Sequence, residues 1–141
     1  MSEPESFELY KVVERYASNV KLYLSVHTFG DMVLWPWGYA GSPGWISTHA
    51  EHHALGLRWR DDILAIGGRN YIVGNVADVL GNAFGAVDDH MVGRLNIPYV
   101  YTLEITSGYQ FTYPEERVQA LVVETFWGYR AMALEIARQF A

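Results

Sequence analysis

The sequence predicts an α/β fold built on a partial, mixed and mostly parallel sheet with flanking helices. Three observations point there. Two runs of strand length, residues 20–26 and 98–105, are rich in β-branched and aromatic side chains. They alternate with helical patterns in the order helix, strand, helix, strand, helix. The chain has 141 residues, half of them apolar, which suits one domain with a sizeable core and leaves little room for a second.

The first element is a helix over residues 4–17, entered from a linker-like Ser2-Glu3-Pro4-Glu5-Ser6. Proline is tolerated in a first turn, and acidic residues suit its positive end. Asn19 interrupts the pattern. In Val20-Lys21-Leu22-Tyr23-Leu24-Ser25-Val26 apolar residues outnumber polar ones on both faces, which predicts an inner strand. His27, Thr28, Phe29 and Gly30 stand where it ends. Residues 34–45 read as a compact aromatic loop, punctuated by Gly38, Gly41, Pro43 and Gly44, with its rings turned to the core. Thr48, with Glu51 three residues on, is a candidate capping box for a helix over residues 49–66 that Gly67-Gly68 stop. Residues 71–94, rich in glycine and small side chains, read as loop with one short helix at 75–80. The second clear strand, residues 98–105, carries Glu104 near its end. Thr112, Pro114, Glu115 and Glu116 then signal a long closing helix, with Val118, Leu121, Val122, Thr125, Phe126, Tyr129, Met132, Ala133 and Ile136 on its apolar face.

Composition removes several functions. Lys plus Arg number 10 against 16 Asp plus Glu, a net charge of −6 without any basic cluster, which argues against a nucleic-acid surface. With no cysteine, disulfides, thiolate zinc sites, iron–sulfur clusters and cysteine nucleophiles are excluded together, so any metal is held by His and carboxylates. No export leader or membrane span is expected: Met1 to Tyr10 carries three glutamates and a proline, and no apolar run approaches about 18 residues.

Polar residues at the carboxyl ends of neighbouring strands in an α/β sheet face one crevice, which singles out His27 and Glu104. His27 can serve as an imidazole ligand to zinc, and Glu104 as base or electrostatic partner for the attacking water. Equally, a strand-end histidine can be a hydrogen-bonded structural residue, and Glu104 can pair with Arg94 or Arg69. His49 and His53 share a helix face, beside Glu51 and His52, but no His-Glu-x-x-His arrangement supplies a base, and an ordinary solvated helix start is preferred. Asp88, Asp89 and His90 read either as a site for a cation or basic ligand or as turn residues after Gly85. There is no Gly-x-Ser-x-Gly elbow, phosphate-cradling loop or dinucleotide fingerprint.

Val26-His27-Thr28-Phe29-Gly30, followed by Leu34-Trp35-Pro36-Trp37-Gly38-Tyr39, resembles the zinc metallocarboxypeptidases of the pancreatic A/B type, in which a strand-end histidine ligates zinc before an aromatic-Pro-aromatic-Gly-Tyr loop. Asn70-Tyr71 through Val73-Gly74-Asn75 resembles the stretch before that family's substrate loop. Gly85-Ala86-Val87-Asp88-Asp89 resembles its specificity segment, and Ile97 through Glu104 its strand ending in the catalytic glutamate. The likeness covers nearly the whole chain and implies that residues 1–141 are the C-terminal portion of such a catalytic domain.

By this resemblance His27 is the third zinc ligand and Glu104 the general base acting on the C-terminal peptide bond. Asp88 lies at the floor of the side-chain pocket, implying a preference for C-terminal Lys or Arg, while Thr28 and Phe29 line the substrate groove. The family draws its first two zinc ligands and its substrate-clamping arginines from a segment upstream of anything present here. Its mobile tyrosine aligns with Gly81, or with Leu80 after a one-residue shift, and neither has a phenol. The resemblance therefore implies zinc-dependent removal of C-terminal residues by the complete domain and an inactive chain in isolation. Partners are peptide or protein C-termini and the missing N-terminal half, without nucleic acid or membrane, in a secreted setting. A catalytically dead peptide-binding or interaction protein of the same family is the alternative.

Overall fold

The computed structural model describes residues 3–108 and 111–141, so Ser2 of the expected linker lies outside the described residues. Helix α1 spans Pro4–Tyr16, with proline at its start, Glu5 in the first turn and Arg15 in the last. Strand β1 (Leu22–His27) leads into β2 (Met32–Trp35), and the aromatic loop then runs to α2 (His49–Ala65). Strand β3 (Ile72–Asn75), the short helices α3 (Val76–Leu80) and α4 (Val87–Gly93), strand β4 (Tyr99–Glu104) and helix α5 (Glu115–Gln139) complete the chain. No helix among the described residues is long and apolar enough to cross a membrane.

The strands form one sheet in the order β1-β4-β2-β3. β1 pairs parallel with β4, β2 pairs parallel with β3, and the antiparallel β2–β4 contact joins the two pairs. The mixed, mostly parallel sheet with flanking helices is therefore as expected. The inner position expected of β1 is not: it stands at one edge and pairs only with β4 among the described residues. Its two apolar faces report something else. Leu22 and Leu24 pack on the main core and Tyr23 on a second cluster with Val100 and Met91, so helices cover both faces while the edge stays open.

Two elements, β3 and α4, lie inside a stretch read as loop, and β2 runs into the start of the expected aromatic loop. β2 is buried throughout and β3 is four residues long, too short for alternation to declare itself; α4 starts directly after the small residues Gly85 and Ala86. The short helix at 76–80 is present, capped by the Asn75 side chain accepting from the Asp78 amide. The capping boxes are absent. Thr48 sits at φ −94, ψ 24, away from the extended geometry that aims a cap at the first amides, and Pro114 precedes the last helix without a side-chain cap.

The main core fills the space between the sheet and the α2–α5 layer, around Val33, Trp35, Leu55, Trp59, Ile63, Tyr101, Leu103 and Met132. The buried stripe of α5 is Thr125, Gly128, Ala131, Met132 and Glu135, whereas Val118, Val122 and Phe126, expected inside, are exposed. Close approach of α5 to the Trp59 indole explains that rotation: a Cβ on Gly128 would lie 2.4 Å from Trp59 Cδ2. Gly128→Ala should thus cost about 1–3 kcal/mol through overpacking, outweighing the roughly 0.5–1 kcal/mol alanine gains over glycine within a helix. Urea denaturation of both proteins checks this; an unchanged midpoint would mean that the indole yields.

Candidate active site

Parallel pairing of β1 with β4 sets Ser25 beside Thr102 and His27 beside Glu104. Side chains alternate across a sheet, so these four share one face, opposite to Leu24, Tyr101 and Leu103 of the main core. Asp88, one residue into α4, faces the same region and accepts a hydrogen bond from the Thr102 hydroxyl through Oδ2. The structure thus brings together three residues that the sequence singled out, His27, Glu104 and Asp88. It adds two that it did not, Ser25 and Thr102, whose only sequence signal was period-two spacing from the other two.

His27 is exposed, and its Nε2 lies 2.7 Å from Ser25 Oγ. That bond fixes the ring and leaves Nδ1 as the nitrogen outside it. Glu104 is half-buried, and its Oε2 is enclosed without a hydrogen-bond partner. Burial pushes the Glu104 carboxyl up, opposed by the neighbouring His27. Neither arginine considered as its partner takes that role: Arg69 pairs with Asp31 and Glu124, and among the described residues Arg94 has no ion pair with it. Asp88 is 1% exposed, with Oδ1 unpartnered. Burial pushes its carboxyl up to about 6, Asp89 adds to the rise, and the Thr102 hydroxyl and His27 oppose it.

Thr28 and Phe29 follow His27 and are joined to each other by a cis peptide bond; both are half-buried, with the Phe29 ring 5.2 Å edge-on from Phe111. Asp89 and His90 leave the site. Asp89 accepts from the Gly38 amide at 2.8 Å, holding the aromatic loop, and the His90 ring packs 5.3 Å from that of Tyr10. The 88–90 cluster is helical, and its three side chains go to three places, so neither a shared ligand site nor a turn describes it. At the start of α2, His49 donates from Nδ1 to Ile46 O, and the buried His52 donates to Thr48 O. Burial holds His52 below its ordinary value.

A catalytic zinc needs about three protein ligands and an open position. Among the described residues no group of three or more His, Asp or Glu side chains could hold a metal ion. His27 is one ligand's worth of such a site, so this chain by itself does not fit the metal.

The sequence profile of the family described as "Zinc carboxypeptidase" matches residues 1–128. The chain is 32% identical over 127 residues to carboxypeptidase O of Bos taurus, covering 89% of this chain and 33% of that protein. It is 29% identical over 136 residues to carboxypeptidase B of Astacus astacus, covering 94% and 44%. Carboxypeptidase A from Helicoverpa armigera superposes with a TM-score of 0.84 at 25% identity, over 98% of this chain and 35% of that one. Bovine thrombin-activatable fibrinolysis inhibitor, solved in complex with tick carboxypeptidase inhibitor, shares the fold with a TM-score of 0.91 at 23% identity, over 98% and 47%. The chain thus spans a third to under half of these relatives.

The buried Asp88 makes stability depend on pH. An unfolded aspartate titrates near 4, so between there and about 6 the folded protein keeps a proton that the unfolded chain releases. Stability falls as pH rises through that window, and the cost is complete above it. Asp88→Asn should therefore stabilise the protein at pH 7 by on the order of 2 kcal/mol and change little at pH 4. Denaturation at the two pH values measures it, and equal effects at both would contradict the assignment.

Proposed function

Because the chain belongs to the zinc carboxypeptidase family, we propose that it is the C-terminal portion of a catalytic domain that removes C-terminal residues from peptides, with Glu104 as general base. The observation carrying this reading is the side-by-side register of His27 and Glu104 with an enclosed, unpartnered Glu104 oxygen. A carboxylate raised by burial is better matched to proton transfer near neutral pH than an exposed one. In this role Glu104 takes a proton from the water that attacks the scissile carbonyl and returns it to the leaving amine.

His27 contributes one metal ligand through Nδ1, with Ser25 orienting the ring from Nε2, as partners of a ligating histidine commonly do. The remaining ligands come from residues outside this chain. Asp88 supplies the acidic floor that favours C-terminal Lys or Arg: its unpartnered Oδ1 is a buried acceptor in need of a cation. Thr28 and Phe29 line the approach. The open edge of β1 is completed by the remaining part of the domain, and the setting is extracellular.

A catalytically dead peptide-binding protein is the second reading. It is favoured by Gly81, which aligns with the family's mobile tyrosine and sits exposed at φ +85 with no side chain to close over a ligand.

In the complete protein, Glu104→Gln should lower kcat by about 10²–10⁴-fold with peptide binding retained; unchanged turnover removes Glu104 from catalysis, and no turnover in the parent protein selects the second reading. His27→Ala should abolish zinc uptake, measured by calorimetry, and full retention would overturn the ligand assignment. Asp88→Asn should erase any preference for basic over apolar C-termini; a preference surviving intact would place specificity elsewhere.

A further inference from the structure

Arg69, in the connection between α2 and β3, lies outside the His27–Glu104 pair but grips the chain just beyond both. Its guanidinium donates to Asp31 Oδ1 from Nη1, to the Ile105 carbonyl from Nη2 at 2.8 Å, and to Glu124 of α5 from Nε at 2.9 Å. The Tyr71 hydroxyl joins by donating to Glu124 at 2.9 Å. Asp31 stands four residues after His27, and Ile105 directly follows Glu104.

Two backbone bonds stitch these exits together: the Gly30 amide donates to Thr106 O at 2.7 Å, and the Ile105 amide to His27 O at 3.0 Å. Asp31 adopts the left-handed region, φ +52, which is uncommon for a residue other than glycine, and its carboxylate is held there by Arg69. One planar fork reaches two carboxylates and a carbonyl at once, which a lysine ammonium with its single point of charge does poorly.

We infer that Arg69 is a positioning residue that fixes His27 relative to Glu104 by clamping the exits of β1 and β4 to α5. The inference rests on the reading of His27 and Glu104 as one site.

Amide hydrogen exchange of the chain tests it, comparing the parent with Arg69→Met, Arg69→Lys and Asp31→Gly, and with Arg138→Met as a surface ion-pair control. In Arg69→Met the Gly30 and Ile105 amides should exchange about tenfold faster or more, beyond any change at Tyr101 in mid-β4, with a smaller effect in Arg69→Lys and none in the control. Asp31→Gly removes one arm while keeping a residue suited to positive φ, so it should speed Gly30 more than Ile105. It carries the test should Arg69→Met fail to fold. Exchange at Gly30 and Ile105 that is unchanged, or that rises only by the factor seen at Tyr101, overturns the clamp. In the complete protein Arg69→Lys should lower kcat with KM nearly constant; hydrolysis at the parent rate overturns the positioning role. Full hydrolysis by Glu104→Gln would instead sink the underlying reading of the site, whatever the exchange rates show.

Discussion

Everything in this structure depends on the register between β1 and β4. The two strands pair residue for residue from Leu22 with Tyr99 to His27 with Glu104. A slip of β1 by one position against β4 would turn Leu22 and Leu24 away from the main core and drive Ser25 and His27 into it. The cost of burying those two polar groups and of exposing the two leucines opposes such a slip. The same pairing that forms the core therefore assembles the candidate site. β4 carries this role because it pairs parallel with β1 on one edge and antiparallel with β2 on the other, and so joins the strand that bears His27 to the rest of the sheet.

The two faces of the sheet are built differently. Toward α2 and α5 the packing is dense and apolar, with Trp59 against Tyr129 and Tyr71 at centroid distances of 4.8 and 6.0 Å. Gly56 lets α2 approach Val73 as Gly128 lets α5 approach Trp59. On the other face an apolar cluster around Met91, Ile97 and Val100 and a second around Met32, Leu34 and Val76 flank the polar residues at the ends of β1 and β4. A site needs unsatisfied polar atoms, and a core excludes them. Segregating the two along one face leaves four polar residues at the strand ends without weakening the layer behind them.

Charge is distributed by the same logic. Asp31 and Glu124 are half-buried or nearly buried acids neutralised by one arginine, a network that needs no further partner. Asp88 and Glu104 are enclosed acids without an ion pair among the described residues, each with an unpartnered oxygen and each raised by burial. Carboxylates in such surroundings are destabilising unless a ligand completes them, the usual condition of groups retained for function rather than stability.

What the sequence determined by itself was local. The β-branched run through Leu24, the strand ending in Glu104, the helix opened by Pro4 and the stop at Gly67-Gly68 were legible because propensity and turn chemistry act within a few residues. His27 and Glu104 were legible too, as polar residues closing apolar strands, and the motif around His27 carried the family. Tertiary structure decided the rest. β2 and β3 are four-residue strands that exist only because neighbours supply their hydrogen bonds. β1 has apolar residues on both faces yet one paired edge among the described residues, since burial marks the side-chain pattern and pairing does not. Val118, Val122 and Phe126 turned outward because Gly128 and Trp59 fixed the rotation of α5. Ser25, Thr102 and Arg69 entered the site through register and long-range contacts, which link residues far apart in the chain and so leave no local signal to read.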